Sequence, residues 1–158
     1  MNTRDLQVEV MRRVRAWVPS RTEIRSWARA ALGRRAAGRE LAVRIVGPAE
    51  SRRLNARYRG HNRPTNVLSF PAPPLPVPRG AGDAPVPLGD LVICPDVLRA
   101  EAREQGKSLR AHWAHLIVHG VLHLIGYDHV RAEDASRMER REIAVLRRLG
   151  FANPYRSV

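Results

Sequence analysis

Residues 119–129 read His119-Gly-Val-Leu-His123-Leu-Ile-Gly126-Tyr-Asp-His129. Four residues make about one helical turn, so His119 and His123 project from one face of a helix. Gly126 follows where that helix can stop, because glycine readily takes the left-handed backbone found just past a helix end. The chain can then fold back and bring His129 over the first two rings. Three converging imidazoles make a Zn²⁺ site with three protein ligands and a free fourth position for water, the form of a catalytic rather than a structural zinc. A lone histidine on an apolar helix is usually a satisfied core residue, and an isolated HxxxH pair arises often by chance. HxxxHxxGxxH requires spacing, helix stop and third ligand to coincide, which is far more specific. One Zn²⁺ per chain is expected, and imidazole ligands accept other divalent metals too.

The neighbours of this motif carry weaker signals. His115 lies one turn before His119 on the same face, with His112 close by. A helical row of four histidines cannot all reach one ion, so supporting or structural roles are expected for these two. Asp128 stands beside a ligand and can orient an imidazole or cap the turn. Glu142 interrupts the apolar side of the last helix, where an internal arginine is the expected partner. Gly120 occupies the position that HExxH proteases fill with a general-base glutamate, so peptide hydrolysis ranks below phosphodiester cleavage.

Outward from the motif, the chain alternates strand-like and helix-like segments. Leu6 to Val10 alternates apolar and polar residues as a half-buried strand does. Residues 20–37 read as a helix capped by Ser20 or Thr22, with Ile24, Trp27, Ala28, Ala31 and Leu32 in one stripe. Residues 41–46 read as a second strand, and Pro48 opens a helix to about Tyr58. Residues 66–70 read as a third strand stopped by Pro71. Residues 71–87 hold seven prolines and two glycines and read as a long exposed loop joining two neighbouring strands. A fourth strand at 88–94 leads into a helix from Pro95 to Gln105 ended by Gly106. Ser108 caps the wide apolar helix that carries the metal motif, and the last helix covers 132–149.

The 158 residues suffice for one domain, 1–158, with a real core. Lys and Arg total 28 against 15 Asp and Glu, a net charge of +13, and Lys107 is the only lysine. Compositional bias explains arginine in place of lysine but not the shortage of acids, so the balance suits a polyanion. Cys94, the single cysteine, excludes an internal disulfide and reads as a small buried apolar residue. There is no secretion signal and no stretch of about 18 apolar residues. A cytoplasmic protein with no membrane association is expected.

Four blocks in order carry a resemblance: Asn55-Ala-Arg-Tyr-Arg59-Gly, with Pro64-Thr-Asn-Val-Leu-Ser-Phe-Pro71; Gly89-Asp-Leu-Val-Ile-Cys-Pro95; His115-Leu-Ile-Val-His119 through His129; and Met138-Glu with Leu149-Gly150. Across its last two-thirds the chain resembles the YbeY family of bacterial rRNA-maturation endoribonucleases. The resemblance implies an α+β fold, in which a small four-stranded mixed sheet with one antiparallel strand packs against about five or six helices, one a metzincin-like metal helix. It implies zinc on His119, His123 and His129, and a functional arginine at Arg59. It implies action in 16S rRNA 3′-end maturation and ribosome quality control, with precursor 16S rRNA and the small ribosomal subunit as partners and no DNA. Two departures stand out: His61-Asn62 where the family commonly has Lys-Asp, and the proline content of 71–87.

On that reading, Arg59 clamps the phosphate and stabilises the charge developing on its oxygens, while the metal polarises a phosphoryl oxygen or activates its bound water. Composition alone gives Arg59 no preference among 27 arginines. Tyr58 and Phe70 are candidates for stacking on unpaired bases, with core packing the default for Phe70. The rival readings are a ribosome-assembly RNA-binding factor with a structural metal, and a metallohydrolase of peptides or small molecules.

Overall fold

A computed structural model describes residues 5–73 and 84–156. Four strands form one sheet: β1 (Gln7–Arg12), β2 (Arg39–Ile45), β3 (Val67–Pro71) and β4 (Val86–Ile93). Their order is β1-β2-β4-β3, with β1, β2 and β4 parallel and β3 antiparallel to β4. Five α-helices accompany them: α1 (Arg21–Leu32), α2 (Pro48–Arg59), α3 (Pro95–Gln105), α4 (Leu109–Leu124) and α5 (Ala132–Arg148). The architecture is the expected α+β fold with a mixed sheet.

Helix α4 runs through the middle of the molecule. Trp113, Ala114, Ile117, Val118, Val121 and Leu122 are fully buried on it, which is why its apolar residues surround it instead of forming a stripe. Its start is capped by Ser108, whose Oγ accepts from Ala111 N at 3.1 Å. One face packs on α1 through a core that includes Ile24, Trp27 and Ala28. The other approaches β3 and β4, where Ser69 Oγ donates to the Gly120 carbonyl at 3.1 Å.

Several boundaries differ from the sequence reading. The first strand begins at Gln7 and runs two residues beyond Val10. The first helix stops at Leu32 instead of continuing to 37, because Gly33 adopts φ +59 and residues Gly33–Ala36 tighten into a 3-10 turn. Pro71 ends β3 as its last paired residue, opposite Gly89. Strand β4 starts at Val86, so Pro87 lies inside it, opposite Glu40 on β2. Proline is tolerated there because β3 reaches only as far as Gly89, which leaves that stretch of β4 as a sheet edge. Leu88 is the extra residue of a bulge: Glu40 pairs with Pro87, and Leu41 with Gly89. The interior of the proline-rich loop, residues 74–83, lies outside the described residues.

Candidate functional site

The C-terminal end of α4 builds the site. Gly126 takes φ +102, Gly126 N donates to the His123 carbonyl (3.1 Å), and Tyr127 N donates to the Leu122 carbonyl (3.0 Å). This reversal presents the Tyr127 carbonyl to His123, whose Nδ1 donates to it at 2.9 Å. His119 Nδ1 donates to Glu142 Oε1, brought from α5. Each acceptor takes a hydrogen from Nδ1, and a neutral ring protonated there presents Nε2 as a bare lone pair. Those two Nε2 atoms face each other at 3.2 Å. Two such lone pairs repel at that distance, and a proton or a metal cation between them relieves the repulsion. Two nitrogens at about 2.0–2.1 Å from a tetrahedral zinc stand about 3.3 Å apart. His129 completes the cluster, with ring centroids 4.8 Å from His123 and 5.8 Å from His119. The donor set therefore fits a divalent metal held by His119, His123 and His129.

Electrostatics agree with that use. Burial, then the neighbouring His119 and His129, lowers His123 to about 4, so its ring stays neutral and available as a ligand. Burial opposes ionisation of Glu142. Hydrogen bonds from His115 and His119 outweigh it and bring the carboxyl down to about 2. Glu142 is fully buried. It accepts from His119, from His115 Nε2 at 3.4 Å, and from the Tyr155 hydroxyl. Burial, then the same carboxylate, pushes the Tyr155 phenol well above its ordinary value.

These contacts revise the expectation for Glu142 and decide between the alternatives for Asp128. Glu142 pairs with two histidines and a tyrosine instead of an arginine, and it is the carboxylate that orients a candidate ligand. Asp128 does not reach an imidazole. Its Oδ1 accepts from His129 N (2.7 Å) and Val130 N (3.2 Å), shaping the loop that carries the third histidine. His115 supports the site from behind, through Glu142 and Tyr155. Tyr155 was missed because no local pattern marks a residue that arrives from beyond α5; only the fold brings it to α4.

Arg59 ends α2 and lines, with the three histidines and β3, a pocket of about 400 Å³. Its Nη2 donates to the Ser69 carbonyl at 3.0 Å and its Nη1 to the Tyr58 carbonyl at 3.3 Å. The guanidinium also lies 5.7 Å from the Phe70 ring centroid. The side chain is exposed and keeps further N–H groups for an anion. Tyr58 is half exposed and meets Phe70 edge to face at 5.2 Å, whereas Phe70 packs on the small Val46, Leu68 and Val92 cluster.

Comparison with known proteins converges on one family. The family model described as Endoribonuclease YbeY matches residues 7–150. A relative of that name from Alkalilimnicola ehrlichii is 54% identical over 155 residues, covering 96% of this chain and 91% of its own length. Relatives of the same name from Methylococcus capsulatus and Pseudomonas putida are 53% and 49% identical, covering 89% and 95% of this chain and 89% and 93% of their own lengths. A solution structure of a Thermotoga maritima protein shares the fold with a TM-score of 0.54 at 21% identity, covering 92% of this chain and 91% of its own. With the ordered motifs, the histidine cluster and a match over nearly the whole chain, this protein belongs to the YbeY endoribonuclease family.

Proposed function

We propose that this protein is a single-strand-specific endoribonuclease that uses one divalent metal, zinc first, and acts in the cytoplasm in 16S rRNA 3′-end maturation and ribosome quality control. The observation that carries this reading is the meeting of Arg59 with His119, His123 and His129 around one open pocket. When bound, the metal supplies Lewis-acid chemistry toward a phosphoryl oxygen. Arg59 binds the same phosphate with the N–H groups it does not give to Ser69 and Tyr58, and offsets charge developing on its oxygens. Glu142 and the Tyr127 carbonyl hold protons on Nδ1 of His119 and His123, which keeps Nε2 directed into the pocket. The net charge of +13 favours approach of a polyanion. Among the described residues, no helix is long and apolar enough to cross a membrane.

Gly120 weighs against a protease in a second way. A Cβ there would lie 2.8 Å from Leu91 Cδ2 and 3.3 Å from Val67 Cγ2, so the position faces the sheet and has no room for a glutamate.

One observation favours a second reading, an RNA-binding assembly factor with a structural metal. Among the described residues, no carboxylate lines the histidine pocket to serve as a general base. RNA cleavage by metal-depleted protein, with zinc returned and Arg59→Ala and His123→Ala alongside, separates the two. Cleavage that needs zinc and fails in both variants supports the nuclease. Variants that bind and cleave like the parent sink it. Binding without cleavage in the parent favours the assembly factor.

A further inference from the structure

A second, larger cleft of about 720 Å³ opens beside the histidine pocket, and Asn66 and His119 line both. At their junction a carboxylate is held in place. Glu101 Oε1 and Oε2 each accept from Asn66 Nδ2 at 3.2 Å, and Oε1 also accepts from His112 Nε2 at 2.9 Å. Asn66 is itself fixed, because its Oδ1 accepts from Val67 N at the start of β3. Burial opposes ionisation of Glu101, but the bonds from His112 and Asn66 outweigh it and keep the carboxyl below its usual range. Lone pairs remain on it, and its side chain is 29% exposed. Tyr155 also lines the cleft; it is 45% exposed, is anchored by its hydroxyl on Glu142, and meets His115 edge to face at 5.3 Å. His112 Nδ1 and His115 Nδ1, both buried on this side, have no hydrogen-bond partner.

Glu101 and Glu104 line the cleft together with Lys107 and Arg156, so its charges are mixed; the Glu101 carboxylate itself repels a phosphate and takes a hydrogen-bond donor such as a hydroxyl. Along an RNA strand the order outward from a phosphate is ribose, then base. Asn66, which holds Glu101, is shared with the histidine pocket, and the Tyr155 ring lines the same cleft as Glu101. We propose that this cleft is the subsite for the nucleoside next to the scissile phosphate, with Glu101 accepting a hydrogen bond from its ribose 2′-hydroxyl and Tyr155 facing its base. The assignment rests on the endoribonuclease reading and adds to it the residue that tells ribose from deoxyribose at that position. Stacking on Tyr155 tolerates any base, so the subsite selects sugar more than sequence.

The test is a single-position 2′-deoxy scan across a short single-stranded RNA that the zinc-loaded protein cuts at one place, run with the parent, Glu101→Ala and Glu101→Gln. In the parent, one deoxy substitution in a nucleoside flanking the cut should lower kcat/KM about tenfold, the effect of losing a hydrogen bond to a charged group. In Glu101→Ala the same substitution should cost less than about twofold, because the two changes remove one shared bond. Glu101→Gln, which keeps the shape of the side chain, should fall between. Removing a 2′-hydroxyl that acts as nucleophile would cost the variants as much as the parent, so that effect does not imitate the expected one. No sensitive flanking position in the parent overturns the subsite whether or not the variants fold. Equal sensitivity in parent and Glu101→Ala overturns it as well. Failure of the parent to cut the all-ribose strand overturns the endoribonuclease reading, and the subsite falls with it.

Discussion

Two histidines four residues apart can share a metal when the same nitrogen of each ring turns toward the other, and here acceptors on the opposite side of each ring hold the Nε2 atoms in that orientation. Glu142 does this for His119 and the Tyr127 carbonyl for His123. Glu142→Ala should weaken zinc binding about 10- to 100-fold, the usual effect of losing a partner behind a ligand; competition against a chromophoric chelator measures it. His123 sets a pH dependence. Its folded value of about 4 lies below the ordinary 6.5, so between those values the unfolded chain binds more protons than the folded one. The contribution is complete above about pH 6.5, declines as pH falls toward about 4, and is constant below that. Thermal melts of metal-free protein should therefore drop between pH 7 and 4.5, and the drop should shrink in His123→Ala; identical pH profiles for the two proteins would contradict this. The three histidines were legible because their spacing is local. Glu142 was visible as an oddity on an apolar face, but its histidine partners were not, since they lie 23 and 27 residues away on another helix.

At the scale of elements, two glycines hold the sheet close to α4. Gly89 has φ +141, and a Cβ there would overlap the Phe70 carbonyl oxygen and lie 3.0 Å from Ala72 N. Gly120 lets α4 approach Leu91 and Val67. Gly89→Ala is expected to cost about 2–4 kcal/mol, through backbone strain and the clash on β3. Gly120→Ala is expected to cost less, about 1–3 kcal/mol, because side-chain ends on Leu91 and Val67 can shift. Urea unfolding of each variant checks both the size and the order. The strands were legible from alternation and from the residues that break it, and the helices from caps such as Ser108. The bulge at Leu88 was not, because it records how β4 meets β2, and Pro87 counts against a strand until β3 is known to stop at Gly89. The end of α1 was missed for a related reason. The apolar stripe continues to Ala36, which is buried in a 3-10 turn instead of the helix.

For the whole molecule, charge governs encounter with RNA. Binding should weaken with salt along a straight line in log–log form, losing about 0.7 in slope for each phosphate neutralised on a single strand. Arg59→Ala should reduce that slope by about 0.7, measured by fluorescence anisotropy of a labelled strand; an unchanged slope would remove Arg59 from the phosphate path. Family membership was legible because four short blocks occur in one order, while the cleft beside the histidines was not, since Asn66 just before β3, α3, α4 and the segment after α5 all contribute to its lining. One consequence follows from the chain's single lysine. Lys107 lines that cleft, and burial there, offset only in part by Glu101, lowers its ammonium below the ordinary range. The only side-chain amine open to an acylating reagent is therefore one that lines the cleft, where its Nζ donates to the Pro154 carbonyl. Labelling there can serve as a built-in footprint of what enters, slowed by an oligonucleotide that fills the space and unchanged by one bound elsewhere.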